Sequence, residues 1–443
     1  MAPRPGPLEE ALASRLASRE SRSQLRRLTA FPHSNVDFSS NAYLSLHRVP
    51  EIHHAFLSAV ESQIPSLSSG AKPPLQGSGG SRLLDGNSTD AESLERSIAA
   101  FHGAEAGLLF NSGYDANVSF FSCVPQPGDV VVYDELVHAS VHDGMRLSRA
   151  ARRIAFKHNC MGGEDHATPE TKGRAGLSSV LAALTQGEQG AAAREGRISI
   201  FIAVEGVYSM DGDVAPLKEM VACVERHLPG GNGYMIVDEA HSTGLFGENG
   251  GGLVCELGLE SHIFARLHTF GKALSALGAV MLCTPTTRQY LINYARPLIY
   301  TTALPPSSLA SIRIAYDYLQ SGRAEPLLRH LKALIRYTHS RLSTICSRHA
   351  ALLRLHAGGG GGVPQSPIIP LLTPHPRSLA RHCQERGITI RPVVAPTVPK
   401  GSERVRICLH AENSEGDVDV LCRAIEEWVE SQQQGAPKGA SRM

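Results

Sequence analysis

The chain is short of several things. No apolar run approaches the length of a membrane span, so a spanning helix is not expected. Lysine and arginine number 43 against 42 acidic residues, a net charge of +1, with no basic stripe, so a nucleic-acid partner is not expected. The nine cysteines are scattered and no two stand at C-x-x-C spacing, which argues against a zinc or redox motif and for reduced, buried thiols; no metal site is expected. Arginines recur through Arg27 and no uninterrupted apolar stretch follows a basic start, so a signal peptide is not expected, and Glu9, Glu10 and Glu20 argue against a mitochondrial presequence. What remains is a 443-residue chain of ordinary apolar content, ample for a large core.

Along the chain, residues 8–28 read as a polar, arginine-rich helix. Val36-Asp37-Phe38 opens a short strand, 51–63 is helical, and Pro65 to Gly80 is a loop. Short apolar strands then alternate with helices: Gly107-Leu108-Leu109-Phe110, Asp129-Val130-Val131-Val132-Tyr133, residues 198–204 and Tyr234-Met235-Ile236-Val237. That alternation predicts an α/β fold with a mostly parallel sheet, in which ligand groups sit at the carboxyl ends of strands. Asn111, Asp134, Glu205 and Asp238 all fall at such ends. Residues 162–196 read as a peripheral loop with one helix, and 308–350 as one long helix or two. Gly358 to Gly362 reads as a tolerated flexible insertion. Residues 368–372, 388–392 and 405–409 read as strands of a smaller C-terminal α/β domain. The expected segments are an N-terminal helix and arm (1–55), a large domain (56–297), a small domain (298–432) and a flexible tail (433–443). The tail ends Ser441-Arg442-Met443, which is similar to the S-K-L peroxisomal address; a peroxisomal import receptor and a peroxisomal location are expected if it is read, and a cytoplasmic one otherwise.

Two stretches carry the chemistry. Lys272 lies in His268-Thr269-Phe270-Gly271-Lys272-Ala273-Leu274, and Asp238 in Asp238-Glu239-Ala240-His241. A lysine amine can form a Schiff base with a carbonyl cofactor, and a carboxylate can keep a pyridinium nitrogen protonated. Pyridoxal 5'-phosphate chemistry needs both.

Further motifs follow in order: Ser39-Ser40-Asn41-Ala42-Tyr43-Leu44, Gly77-Ser78-Gly79-Gly80-Ser81-Arg82, Asn111-Ser112-Gly113-Tyr114-Asp115-Ala116-Asn117, His138-Ala139-Ser140, Glu205-Gly206-Val207-Tyr208-Ser209-Met210-Asp211-Gly212-Asp213, Thr301-Thr302-Ala303-Leu304-Pro305-Pro306 and Pro396-Thr397-Val398-Pro399. Together they resemble the α-oxoamine synthases, pyridoxal-phosphate enzymes of fold type I, over about residues 37–421. The resemblance implies a large domain with a mostly parallel central sheet plus a smaller C-terminal α/β domain. It also implies roles. Lys272 would be the Schiff-base lysine and proton acceptor, Asp238 the pyridinium partner, His241 a donor to the cofactor's phenolic oxygen and His138 the ring-stacking histidine. Backbone amides of Ser112, Gly113 and Tyr114 with the Thr269 hydroxyl would hold the phosphate, helped by Thr301 or Thr302 from a second subunit of a homodimer. Ser209 would lie near cofactor and substrate, Arg406 would clamp the amino-acid carboxylate, and Asn41 would lie near the substrate.

The implied reaction joins an amino acid, L-alanine in the biotin-pathway branch, to an acyl-CoA such as pimeloyl-CoA with loss of CoA and CO2. Alternatives are glycine or serine with another acyl-CoA, an aminoacyl transferase of secondary metabolism, and a non-catalytic partner subunit, which should lack the lysine. One departure bears on the acyl group. Val394 stands where relatives of the biotin branch carry arginine, and Arg391, three residues earlier, is the candidate substitute.

Overall fold

The computed structural model describes residues 6–22, 24–62, 76–162, 175–188, 190–356 and 362–434. The Ser441-Arg442-Met443 tail and most of the glycine run lie outside them. Two compact units are present, Met1–Asn35 and Val36–Met443. In the first, the helix spans Pro7–Ser21 and stops short of the expected residue 28. The Ser21 hydroxyl turns back to the Ser18 carbonyl at 3.0 Å, and Gln24 N–H closes onto Arg19 O at 2.7 Å. Serine competes with the helical backbone in this way.

In the second unit thirteen strands are described. They are β1 (Val36–Asp37), β2 (Ala106–Phe110), β3 (Val130–Asp134), β4 (Arg152–Phe156), β5 (Ile200–Glu205), β6 (Gly233–Asp238), β7 (Ala265–Thr269), β8 (Ala279–Cys283), β9 (Arg354–Leu355), β10 (Ile368–Leu372), β11 (Ile388–Thr389), β12 (Arg391–Val393) and β13 (Arg404–Cys408). Seven form the central sheet in the order β2-β8-β7-β6-β5-β3-β4. Only β8 runs antiparallel to its neighbours. The strands are apolar on both faces because both faces are covered: Val130, Val132, Ile202, Val204 and Val237 belong to one buried cluster, and Val131, Phe201, Ala203 and Ile236 to the other. The carboxyl ends of β2, β3, β5, β6 and β7 therefore share one edge, where Asn111, Asp134, Glu205, Asp238 and Thr269 stand.

A second sheet, β12-β13-β10-β9, is antiparallel throughout. The expected strand over 388–392 is two pieces. β11 pairs with β1, which ties residues 36 and 37, counted from sequence with the N-terminal arm, into this unit, and β12 pairs with β13. The stretch 308–350 is two helices, Pro306–Gln320 and Glu325–Arg348, parted at Gly322, whose φ of 74° lies in the region glycine favours. Residues 175–196 carry two short helices, Leu177–Thr185 and Ala191–Arg194, instead of one.

Candidate active site

At the shared strand edge, Asp238 ends β6 beside Glu205, its register partner at the end of β5. Parallel neighbours in register project from the same face, so both carboxylates reach one side of the sheet. Asp238 is held by two donors, Asn117 Nδ2 at 2.8 Å and Ala240 N–H at 2.9 Å. Asn117 comes from the helix Gly113–Cys123 and its other amide proton goes to Ser140 Oγ at 3.0 Å. Ser140 in turn contacts His138 Nδ1 at 2.8 Å, and its N–H donates to the same nitrogen at 3.3 Å. Nδ1 of His138 is thus an acceptor and the ring carries its proton on Nε2. Burial holds His138 below its usual pKa against the pull of Asp238, which keeps that ring neutral.

Lys272 follows β7 in a tight turn closed by Ser275 N–H to Lys272 O at 3.0 Å. Burial lowers its amine pKa, while the Asp238 and Glu205 carboxylates oppose the shift. Burial, and then the Asp238 charge, pushes Glu205 well above the usual carboxylate range. A lysine so placed has an amine that loses its proton readily, as a nucleophile or base needs.

At the other end, Ser112 caps the helix Gly113–Cys123: its hydroxyl accepts from Asp115 N–H at 3.0 Å and donates to Asp115 Oδ2 at 2.8 Å. The first helical residues are Gly113 and Tyr114, whose N–H groups have no partner in a helix's first turn. Gly113 passes close to β7; a Cβ there would lie 3.4 Å from Thr269 Cβ. The Thr269 hydroxyl rests on Gly278 O at 3.3 Å, and the Tyr114 hydroxyl donates to Asp143. Thr301 and Thr302 are exposed. Thr302 bridges to Ser81 and its carbonyl accepts from Asn111 Nδ2 at 2.7 Å, so the stretch lies beside the phosphate-type helix start of its own chain.

From the small sheet, Arg406 of β13 donates to Ser209 O and to Asn41 Oδ1, each at 2.9 Å. Asn41 also accepts from Tyr43 Oη at 3.1 Å, and Tyr43 lies 2.8 Å from His241 Nδ1. Burial, Lys272 and Arg406 hold His241 well below its usual pKa. Arg391 is exposed and stands opposite Arg406 in the β12–β13 register, hence on the same face of that strand pair.

Asn41, His138, Ser209, Asp238, His241, Lys272 and Arg406 are therefore joined by direct contacts or by close electrostatic coupling, while Gly113, Tyr114 and Thr269 form the neighbouring helix-start cradle. Asn117, Ser140 and Tyr43 were missed as site residues. All three lie inside the quoted motifs, and a buried polar residue one or two helical turns from a motif glycine is the signal that could have found Asn117.

The aminotransferase class I and II family matches residues 34–425. The chain belongs to this family. Among curated relatives, an 8-amino-7-oxononanoate synthase of Emericella nidulans is 50% identical over 427 residues, 96% of each chain. An aminoacyl transferase sphA of Byssochlamys spectabilis is 38% identical over 94% of this chain and 86% of that one. Among solved structures, a serine palmitoyltransferase of Sphingomonas wittichii superposes with a TM-score of 0.76 at 26% identity, over 98% of this chain and all of that one. The large parallel-sheet domain and smaller C-terminal sheet are those of fold type I. Pyridoxal phosphate, the family's cofactor, fits the residues present: a carboxylate held by two donors for a pyridinium, a helix start left open by Gly113 for a phosphate dianion, and a buried lysine amine electrostatically coupled to that carboxylate.

Proposed function

We propose that the protein is a pyridoxal-phosphate-dependent C-acyltransferase that condenses L-alanine with pimeloyl-CoA, releasing CoA and CO2 and giving 8-amino-7-oxononanoate, a step of biotin biosynthesis. The observation that carries the substrates is the 50% identity, over 96% of each chain, to a relative of that name. The reaction type is supported by Lys272 and Asp238 at the strand edge of the central sheet, with Arg406 facing them electrostatically from the small sheet.

When bound, pyridoxal phosphate supplies an electrophilic carbon for amines and a ring that accepts negative charge from the carbon next to nitrogen. Lys272 is the residue that would hold it covalently, and its amine, which burial leaves ready to give up a proton, would accept the α-proton of the amino acid. Asp238, oriented by Asn117 and Ala240, keeps the ring-nitrogen proton in place. His138, whose ring is neutral, would cover the ring of the cofactor, and His241 would donate to its phenolic oxygen. Arg406 binds the amino-acid carboxylate, with Asn41 and Ser209 fixing the guanidinium plane. Ser112, Gly113, Tyr114 and Thr269 would hold the phosphate, and in a homodimer Thr301 or Thr302 of the partner subunit would complete that cradle. Arg391 is the cation for the far carboxylate of the acyl chain, in place of an arginine at Val394.

A second reading, an aminoacyl transferase using another acyl donor, is favoured by Val394 and by the 38% identity to sphA. The experiment is complementation of a biotin auxotroph lacking this one step: growth without biotin is expected, and failure by a soluble, cofactor-loaded protein overturns the substrate assignment. Delivery to peroxisomes by Ser441-Arg442-Met443 is also proposed. A fluorescent protein carrying residues 433–443 should become punctate and stay diffuse without the last three; a diffuse pattern for both sinks it.

A further inference from the structure

Four groups form one hydrogen-bonded line from the carboxylate arginine to His241: Arg406 Nη2 to Asn41 Oδ1 at 2.9 Å, Asn41 Oδ1 to Tyr43 Oη at 3.1 Å, and Tyr43 Oη to His241 Nδ1 at 2.8 Å. Tyr43 is fully buried and His241 nearly so. The line has a direction. A guanidinium only donates, so the Asn41 amide must turn its oxygen to Arg406. The same oxygen faces Tyr43. The single Tyr43 proton must then go to Asn41, or two lone pairs would confront each other inside the protein at the cost of an unmade buried hydrogen bond. Tyr43 Oη is left as an acceptor for His241, and only an Nδ1–H can supply that bond.

We propose that Tyr43 is a positioning residue: backed by Asn41 and Arg406, it holds His241 in the Nδ1–H tautomer, so that Nε2 is an acceptor in the cofactor-free protein and becomes a donor only when the ring takes up a proton from solvent as the cofactor binds. The neutral ring of the free protein agrees with its surroundings. Burial, Lys272, Arg406 and the His138 ring all disfavour an imidazolium there. The phenolate of the cofactor would bring the negative charge that reverses this balance. His138 has the opposite tautomer, fixed by Ser140, so the two histidines of one site are set by separate networks, one reaching Asp238 and the other Arg406.

The inference rests on the pyridoxal phosphate reading only for its second half, and the test separates the two. Histidine-selective 15N NMR is recorded on the full chain without cofactor, with the His241 signals assigned by their loss in His241→Gln. Wild type should show a protonated Nδ1 and an unprotonated Nε2. Tyr43→Phe, which keeps the ring and removes the hydroxyl, should move the proton to Nε2. Asn41→Ala should do the same with Tyr43 intact, because Tyr43 then donates to His241; it also serves if Tyr43→Phe does not fold. An Nε2–H signal in wild type, or an unchanged Nδ1–H signal in the variants, overturns the proposal. Adding pyridoxal phosphate to wild type should convert both nitrogens to the protonated type. Failure of that conversion alone overturns the proton-uptake half and leaves the substrate reading untouched, since no amino acid or acyl-CoA is present.

Discussion

Replacing His158 by glutamine should convert a pH-dependent stability into a flat one. His158 follows β4 and bridges two carboxylates, with Nδ1 2.9 Å from Asp134 Oδ1 and Nε2 2.6 Å from Asp213 Oδ2. Burial pulls its pKa down, but the hydrogen bonds and charges of Asp134 and Asp213 win and raise it from 6.5 to about 10. A histidine whose folded pKa is raised contributes stability that is fully present below about pH 6.5 and lost as the pH climbs through about 10. Each pH unit inside that window removes about 1.4 kcal/mol, so about 3 kcal/mol goes between pH 7 and pH 9. The side chain is 20% exposed, which leaves solvent screening modest. The assay is urea unfolding of wild type and His158→Gln at fixed protein and cofactor concentrations. At pH 7 the variant should be less stable by about 2–4 kcal/mol, since it also leaves two facing carboxylates without their cation. By pH 9 the gap should shrink by most of that amount. Parallel curves for the two proteins from pH 6.5 to 9 would refute the imidazolium bridge.

Three further outcomes are expected. Lys272→Ala should lose the visible absorbance of the covalently held cofactor and about 10³-fold or more in turnover; survival of both would remove Lys272 from the mechanism. Arg406→Lys should raise the amino-acid KM by about 10–100-fold with a smaller fall in kcat, because a point charge replaces a planar fork; an unchanged KM would place the carboxylate elsewhere. Arg391→Ala should raise KM about tenfold for pimeloyl-CoA and leave an acyl-CoA without a second carboxylate unaffected; equal effects on both would assign Arg391 to the CoA moiety or to structure.

The parallel sheet was legible because β3, β5 and β6 are continuous apolar runs ending in acids, and that pattern alone put Asp134, Glu205 and Asp238 on one edge. β7 was not legible. Its Arg266 and His268 interrupt the apolar run, yet both are buried, Arg266 donating to His102 O at 2.9 Å and His268 Nδ1 lying 2.9 Å from the Thr243 hydroxyl. Once β7 is missed, its antiparallel neighbour β8 cannot be placed either. The candidate cofactor-side residues were named through motif resemblance, while the residues that support them were not. Asn117, Ser140 and Tyr43 each make a hydrogen bond to a partner 23 to 198 positions away, and such pairings exist only after folding. The 388–392 segment misled for a related reason: a short strand pattern cannot announce that its halves pair with different strands.

The central claim meets its most direct test in CoA release by the purified, cofactor-loaded protein, measured for alanine, glycine and serine, each with pimeloyl-, acetyl- and palmitoyl-CoA, with the product mass determined. Turnover confined to alanine with pimeloyl-CoA, giving 8-amino-7-oxononanoate, is the predicted result. Turnover with a different pair and none with this one would contradict the substrate assignment, and no thiol release with any pair would contradict the condensation itself.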